Sequence, residues 1–234
     1  MNSNKKTARI AGFWYLLVAV FPVFSVMVVE AKLYVPGNAA ATANNILASA
    51  GLFRLGFVSS LLGQICFLFL AHALYKLLKS VDKDLARLMV IFIVASVSVT
   101  YLNMLNQFAS IRLSSGAGYL SAFEPAQLHA LAMMFLEMHK YGNSSALIFY
   151  GLWLFPLGLL IFRSGFIPKA LGVLLILGSL GDLIEFFRIF LFPNVKLTIY
   201  PLWLAVAAVA QVSFILWLLV KGVKDQKSAQ VEAS

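Results

Sequence analysis

Six long apolar runs dominate the sequence and limit what the chain can fold into. Each is long enough to cross a hydrocarbon core of about 30 Å, which takes about 20 helical residues. A membrane-spanning barrel would need apolar and polar residues in strict alternation, and these runs lack that pattern. The sequence therefore predicts an all-α integral membrane bundle of six transmembrane helices. The predicted spans are Ile10–Val29, Leu55–Tyr75, Leu88–Ile111, Asn143–Phe162, Ala170–Phe192 and Leu197–Val220.

The composition supports this class, because 62% of the residues are hydrophobic and only 12% are charged. A soluble domain carries about 25% charged residues. We predict one transmembrane domain, residues 1–220, followed by a polar cytoplasmic tail, residues 221–234. The first span is too long for a signal peptide and is predicted to be a retained helix, kinked at Pro22. The one cysteine, Cys66, lies in an apolar segment and is predicted to be a small core residue.

The basic residues of the loops predict the orientation of the chain. With the N-terminus inside, twelve Lys and Arg residues lie inside and six lie outside, and cytoplasmic loops are the ones enriched in these residues. We therefore predict a bacterial cytoplasmic membrane protein with both termini in the cytoplasm, and assign the formal charge of +9 to topology rather than to a nucleic-acid partner. The inside set is Lys5, Lys6, Arg9, Lys76, Lys79, Lys83, Arg87, Arg163, Lys169, Lys221, Lys224 and Lys227. The outside set is Lys32, Arg54, Arg112, Lys140, Arg188 and Lys196.

Two loops on the predicted outer side are long enough to carry amphipathic helices. In the first loop, Thr42 is predicted to cap a short helix. In the second, Ser121-x-x-Glu124 before Pro125 is typical of a helix start. Apolar residues recur at helical spacing in both loops, which favours helices that cover something on the outer side. These residues are Ile46, Leu47, Ala50 and Phe53 in the first loop, and Leu128, Leu131, Phe135 and Met138 in the second.

Several motifs occur in an order that resembles one known family. They are KKTARIAGFWYLL at the first span, ATANNILASAGLFRLG in the first outer loop, ALYKLLK at the end of the second span, and LGLLIFRSGFIPKALGVLLILGSLGDLI across the fourth and fifth spans. The family is a bacterial multi-pass membrane family known only as a domain of unknown function, and the resemblance runs from about Lys5 to about Val220. The resemblance implies six helices and a bacterial cytoplasmic membrane, but no activity and no site residues.

Two carboxylates, Asp182 and Glu185, lie inside the fifth apolar run. They are three residues apart and therefore share one side of a helix, with Arg188 three residues further on. Ionisable groups in a membrane cost about 2.5–3.5 kcal/mol each on insertion scales and mark functional sites. One interpretation pairs Glu185 with Arg188 and Asp182 with Arg54 or Arg112. The other places both carboxylates in an outward-facing polar pocket that receives a cation, a proton or a polar headgroup.

The third span carries a polar seam that belongs to the same hypothesis. Ser96, Thr100, Asn103 and Gln107 are spaced four, three and four residues apart, with Asn106 beside them. Such residues either hydrogen-bond to a neighbouring helix or line a polar site. We favour the first role for Ser96 and Thr100 and leave both roles open for the amides. The predicted ligand-binding residues are Asp182, Glu185, Asn103, Asn106, Gln107 and Arg54, the last as a counter-charge.

Small residues line one side of two predicted spans and are predicted to let helices approach closely. Histidines offer no metal site, because His72 lies near the cytoplasmic end of its span while His129 and His139 lie outside and do not form a chelating face. We predict no metal, no cofactor and no catalytic residue, because no known catalytic motif is present. The small residues are Gly56, Ser59, Ser60 and Gly63 on the second span, and Gly172, Gly178 and Gly181 on the fifth.

Three functions are compatible with these residues. The first is an integral membrane protein whose polar pocket binds a small ligand or ion for binding, sensing or transport, with the lipid bilayer around it. Alternating access is not predicted, since no internal repeat or pair of broken helices is present. The second is a lipid- or isoprenoid-modifying membrane enzyme that uses the same carboxylates. The third is a non-catalytic membrane assembly or stress factor whose polar groups are all structural. The sequence leaves the oligomeric state open.

Overall fold

The computed structural model describes residues 3–116, 118–195, 198 and 200–223. Over this part of the chain the fold is all-α and contains no strand, as predicted. Lys196, Leu197, Lys224 and Lys227, and residues 224–234 of the predicted tail, lie outside the described residues. The helices are α1 (Ser3–Phe24), α2 (Ala31–Leu33), α3 (Ala39–Ala48), α4 (Ala50–Leu78), α5 (Lys83–Ser114), α6 (Pro125–Ser164), α7 (Lys169–Leu191) and α8 (Tyr200–Val220).

Six helical stretches in the described chain are long and apolar enough to cross a membrane, which confirms the predicted number of spans. Large apolar side chains remain exposed along them, as at Phe69, Leu105 and Leu216. Such surfaces suit hydrocarbon rather than water. The stretches are Asn4–Leu33, Ala50–Leu78, Lys83–Ser114, Pro125–Ser164, Lys169–Leu191 and Pro201–Val220.

The first of these stretches is helical throughout but not α-helical throughout. Pro22 lies inside α1. Three residues later the chain enters a π-helical segment, Ser25–Glu30, which runs directly into α2. The N–H of Ala31 bonds the carbonyls of both Val26 and Val29. The first span therefore stays continuous while its hydrogen-bond spacing changes near its end.

The short helix predicted in the first outer loop is present as α3, but its cap differs from the prediction. The prediction of Thr42 as the cap is wrong, because Asn38 occupies that position and its side chain accepts a hydrogen bond from the N–H of Ala41 at 2.9 Å. Thr42 lies inside α3, where its hydroxyl accepts from the N–H of Val35 at 3.0 Å and donates to the Val35 carbonyl at 3.2 Å. Asn is also the more strongly preferred of the two residue types at the N-cap position.

α6 joins two elements that the sequence predicts as separate. The helix of the second outer loop and the span from Asn143 form one helix of 40 residues, about 60 Å long at 1.5 Å per residue. Gly142 and Asn143, at the join, are weak helix formers. They stay helical because Gly142 packs against Asn103 and the Asn143 side chain accepts a hydrogen bond from Asn103. At the N-terminus, the Gln127 side chain accepts from the N–H of Glu124 at 3.0 Å. This capping contact lies three residues after the predicted one.

The chain forms two compact units, each assembled from segments distant in sequence. Unit 1 contains Met1–Leu17, Cys66–Val97 and Ser145–Ser234. Unit 2 contains Val18–Ile65 and Ser98–Ser144. The long helices α1, α4, α5 and α6 each contribute residues to both units. The prediction of a single transmembrane domain over residues 1–220 stays a prediction.

Unit 2 packs through the small residues of α4, as predicted. A Cβ added to Gly56 would lie 2.9 Å from the Val29 methyl carbons, and one added to Gly63 would lie 3.3 Å from Pro22. The hydroxyl of Ser59 donates to the carbonyl of Phe21 at 3.0 Å. Leu47, predicted in the apolar stripe, is exposed. An apolar cluster closes the same unit and contains Val29, Leu33, Ile46, Phe53 and Ile111.

Unit 1 packs through close contact between the backbones of α6 and α7. A Cβ added to Gly158 would lie 2.7 Å from the carbonyl oxygen of Gly172, and one added to Gly172 would lie 2.6 Å from the carbonyl oxygen of Gly158. About two helical turns away, the Ser179 hydroxyl donates to the carbonyl of Gly151 at 2.8 Å. Contacts of this kind replace the hydrophobic driving force that helices lack inside lipid.

We predict that Gly158→Ala destabilises the protein, by about 1–3 kcal/mol as for overpacked core positions. The added methyl group meets the Ile176 side chain at 2.6 Å and also the Gly172 carbonyl oxygen at 2.7 Å, and because that backbone atom cannot turn aside, α6 and α7 must separate. Gly51→Ala is the matched control, because nothing lies within 4 Å of a Cβ at this helical glycine. Thermal unfolding in detergent measures both variants. Equal midpoints for Gly158→Ala and the wild type would contradict the close approach.

Candidate functional site

The two acids of α7 lie in unit 1 and have different surroundings. Glu185 is buried, and both of its carboxylate oxygens accept hydrogen bonds from Arg188, at 2.7 Å from Nε and 2.6 Å from Nη2. A third nitrogen of Arg188 donates to the carbonyl of Val195 at 3.0 Å. A two-pronged contact of this kind is among the strongest ion pairs that side chains form. The pairing of Glu185 with Arg188 that the spacing allows is therefore present.

Asp182, one turn earlier, has no hydrogen-bond or ion-pair partner among the described residues. Its side chain is half-buried. The backbone beside it is fixed, because Gly181 lies against the indole of Trp203, and the Trp203 Nε1–H donates to the Leu177 carbonyl at 2.9 Å. Asp182 lies in unit 1 and Arg54 and Arg112 lie in unit 2, so the alternative in which Asp182 pairs with one of them stays a prediction. Asp182 thus lies on a well-packed stretch of backbone, and its carboxyl group has no hydrogen-bond or ion-pair partner among the described residues.

Two further polar side chains of unit 1, Tyr15 and Gln211, are linked to Asp182 in series, the first by its charge and the second through the first. The carboxylate lies close enough to Tyr15 of α1 for its charge to act on the phenol. The Tyr15 hydroxyl in turn donates to Oε1 of Gln211 on α8 at 3.3 Å. The sequence prediction missed both residues, because each is an isolated polar group in a long apolar run. The signal available was that Gln211 is the one amide in the predicted sixth span.

The amides of α5 lie in unit 2 and bond to α6. Asn103 is buried, and its Nδ2 donates to the His139 carbonyl at 2.8 Å and to Oδ1 of Asn143 at 2.9 Å. Asn106 Nδ2 donates to Oδ1 of Asn103 at 3.0 Å. Gly142 makes room for this arrangement, since a Cβ there would overlap the Asn103 side chain. Asn103 and Asn106 therefore join two helices, the structural role that the sequence left open beside ligand binding.

His139, which the sequence places in the second outer loop, completes this network and is buried. Its Nδ1 lies 3.2 Å from the backbone carbonyl of Asn103. Because a carbonyl only accepts, Nδ1 carries the proton. The Nδ2 of Asn143 lies 3.2 Å from Nε2 and donates to it. The contacts thus select the neutral imidazole with its proton on Nδ1.

The other predicted ligand residues of unit 2 are less engaged. Gln107 is buried, and its Oε1 has no hydrogen-bond partner in the described structure. The hydroxyl of Thr100 is likewise buried without a partner there. Arg54 is exposed on α4. Of the six predicted ligand residues, Asp182 and Glu185 thus lie in unit 1, and Asn103, Asn106, Gln107 and Arg54 lie in unit 2. Their joint role in one pocket stays a prediction.

Among the described residues, no three of the types His, Cys, Asp and Glu come together in a way that could hold a metal ion. Cys66 is a free, buried thiol. The part of unit 1 around Asp182 offers one carboxylate within electrostatic range of the Tyr15 phenol, which in turn contacts the Gln211 amide. Such hard oxygen atoms suit a proton or a small cation.

These features define a multi-pass integral membrane protein with an all-α fold and no recognised catalytic site in its described residues. Residues 10–222 match the family described as Domain of unknown function (DUF4386), and the chain belongs to that family. The chain is also 28% identical over 156 residues to an uncharacterized protein of Archaeoglobus fulgidus, covering 66% of this chain and 75% of the relative. No solved structure matches the chain.

The Glu185–Arg188 pair gives a stability prediction. Arg188→Met leaves the buried Glu185 charge without its partner, and we expect a loss of about 3–5 kcal/mol. The double variant Glu185→Gln/Arg188→Met removes both charges and is expected to be more stable than the single variant. Arg87→Met is the control, because its pair with Asp84 is exposed and is expected to contribute at most about 1 kcal/mol. Denaturant unfolding in mixed micelles measures all three.

The hydrogen-bond network between α5 and α6 gives a second stability prediction. Asn143→Ala removes a donor to His139 and an acceptor for Asn103, both buried, and we expect a loss of about 1–3 kcal/mol. Ser144→Ala is the neighbouring control, since the Ser144 hydroxyl donates to the backbone of its own helix; its effect is expected to stay within about 0.5 kcal/mol. Thermal unfolding distinguishes them, and equal losses would argue against the network.

Proposed function

We propose that this protein binds a small monovalent cation or a proton within the membrane, as a sensor or transporter, and that Asp182 is the charged group that holds it. The observation that carries the proposal is the contrast between two carboxylates on one helix. Glu185 has both oxygens satisfied by Arg188. Asp182 lies in the same candidate span without a partner among the described residues. A fold that supplies a base to one acid and not to the other leaves the second available for a ligand.

Energetics support this role. A carboxylate in a membrane span costs about 2.5–3.5 kcal/mol on insertion scales when nothing compensates it. Apolar or amide side chains at position 182 would avoid that cost. The cost is offset when a cation or a proton occupies the carboxylate, and the bound species then contributes to stability by mass action.

Nearby oxygen atoms favour the same class of ligand. The Tyr15 phenol of α1 lies within electrostatic range of the Asp182 carboxylate, and the Gln211 amide of α8 accepts a hydrogen bond from that phenol. One carboxylate with neutral oxygen atoms balances a single positive charge, as in a proton, an alkali cation or a primary ammonium group. Asn103, Asn106, Gln107, Glu185 and Arg54 remain predicted contributors.

The proposal includes an orientation and a location. Both termini lie in the cytoplasm, because the basic residues concentrate on the side that contains them. Asp182 then lies just past the middle of α7 towards its outer end, and its ligand enters from outside. We propose the bacterial cytoplasmic membrane as the location and the lipid bilayer as the surrounding partner, in line with the apolar spans and with the family resemblance.

The test compares the full-length wild type with Asp182→Asn in detergent. The midpoint of thermal unfolding is measured with sodium, potassium or ammonium, against choline at the same ionic strength and across a pH series. We expect the midpoint of the wild type to depend on one of these cations or on protons, and that dependence to be lost in Asp182→Asn while unfolding stays cooperative. Glu137→Gln, an exposed acid of unit 2, is expected to behave as the wild type.

Two outcomes would sink the proposal. The first is a midpoint of thermal unfolding of the wild type that depends on none of the cations and not on the pH. The second is an Asp182→Asn variant that is less stable than the wild type yet keeps the full dependence. Such a variant would show that Asp182 is structural, as in a membrane assembly factor.

A further inference from the structure

One end of unit 1 carries a large excess of positive charge, and we propose that it is an interaction surface for the phosphate groups of anionic phospholipids. We call it the basic end. Ten described Lys and Arg residues form it, at the start of α1, around the α4–α5 and α6–α7 turns and directly after α8. They are Lys5, Lys6, Arg9, Lys76, Lys79, Lys83, Arg87, Arg163, Lys169 and Lys221. Against them stand two acids, Asp82 and Asp84. Ten positive and two negative charges leave a formal charge of +8.

Contacts within unit 1 bring these segments to one end. Arg163, at the end of α6, forms an ion pair of 3.1 Å with Asp82 in the α4–α5 turn. The start of α1 lies beside the chain that follows α8, because a Cβ added to Gly222 would lie 3.0 Å from Cγ of Lys5. These contacts join the four segments in two pairs, and because consecutive spans run in opposite directions, both pairs lie at the same end of the spans.

The acids at this end are already engaged. Asp82 caps α5, accepting from the N–H groups of Asp84 at 3.2 Å and Leu85 at 3.0 Å, and also binds Arg163. Asp84 pairs with Arg87 at 3.1 Å. Among the described residues of this end, basic side chains outnumber acids ten to two, and an anion from outside the chain would balance the difference.

The excess is local to this end. The described residues of unit 2 include four basic residues, Lys32, Arg54, Arg112 and Lys140, and three acids, Glu30, Glu124 and Glu137. Their formal charge is +1. Unit 2 therefore supplies comparison residues in the same protein, seven charged side chains with almost no net charge.

Helix electrostatics point to the same ligand. Lys5 and Lys6 lie in the first turn of α1, Lys169 begins α7, and neither first turn contains an acid. A cation at a helix N-terminus is unfavourable by itself, because the helix dipole there is positive. Lysine together with the N–H groups of a first turn is instead the combination that binds phosphate. The charge pattern that weakens these helices in isolation is thus favourable when a phosphate group is bound.

Position selects lipid over other polyanions. The basic end lies directly at the ends of candidate membrane spans, where headgroup phosphates are the nearest and most concentrated anions. Clusters of about four to eight Lys and Arg residues beside membrane helices recognise anionic lipids. Aromatic rings also lie at this level, with Lys79 Nζ 6.0 Å from the Tyr75 ring centre and Lys169 Nζ 5.5 Å from that of Phe162. The inference is independent of the Asp182 site.

The test uses the full-length protein in neutral detergent, titrated with phosphatidylglycerol or with phosphatidylcholine and followed by the midpoint of thermal unfolding and by native mass spectrometry. We expect the wild type to bind phosphatidylglycerol more tightly. The variant Lys5→Gln/Lys6→Gln/Lys169→Gln is expected to lose affinity for phosphatidylglycerol about tenfold or more. The matched control, Lys32→Gln/Arg112→Gln/Lys140→Gln in unit 2, is expected to stay within about twofold of the wild type.

Several results would overturn the inference. They are equal binding of the two lipids by the wild type, an unchanged preference in the basic-end variant, and an equal loss in the control. A stronger shift with inorganic phosphate or short DNA at the same phosphate concentration would assign the surface to a soluble anion instead. Should the basic-end variant not fold, salt decides, because a wild-type preference that survives about 0.5 M salt is not electrostatic.

Discussion

Backbone hydrogen bonding in hydrocarbon is the constraint on which the rest of this structure depends. No water is available there, so every N–H and carbonyl must find its partner within the chain, and long helices meet that requirement. Helices so formed gain little from burying apolar side chains, since lipid is equally apolar. Close backbone approach takes over, as where Gly158 and Gly172 bring α6 and α7 together. The glycines are therefore as decisive for the fold as the apolar residues.

Because water is scarce in hydrocarbon, each polar side chain either finds a partner within the protein or is left available to a ligand. Glu185 and Asn103 are satisfied by neighbouring residues and hold the helices in place. Asp182 is not, although it lies on the same helix as Glu185. In a soluble protein a half-exposed aspartate would be unremarkable, because water would complete its hydrogen bonds. Within a membrane span, a carboxylate without a hydrogen-bond or ion-pair partner is the strongest indication of a binding site in the unit that contains it.

Much of the fold follows from patterns that are local in sequence. The apolar runs predict the six spans, the spacing of Glu185 and Arg188 permits their pairing, and the small residues of α4 predict close packing. What the sequence could not supply depends on contacts between distant segments. α6 is continuous because Asn143 is held by Asn103, and the placement of Tyr15 near Asp182 depends on how α1 meets α7. Periodicity within one helix has no access to either.

The π-helical segment Ser25–Glu30 has a consequence for how this chain tolerates changes in length. A π-turn holds one residue more than the α-helical turn it replaces. Loss of a single residue inside it would restore ordinary winding and leave the flanking residues in register with their neighbours. The same loss elsewhere in the first span would rotate everything beyond it by about 100°. We therefore expect insertions and deletions among related chains to concentrate in this segment, where the helix already accommodates an extra residue.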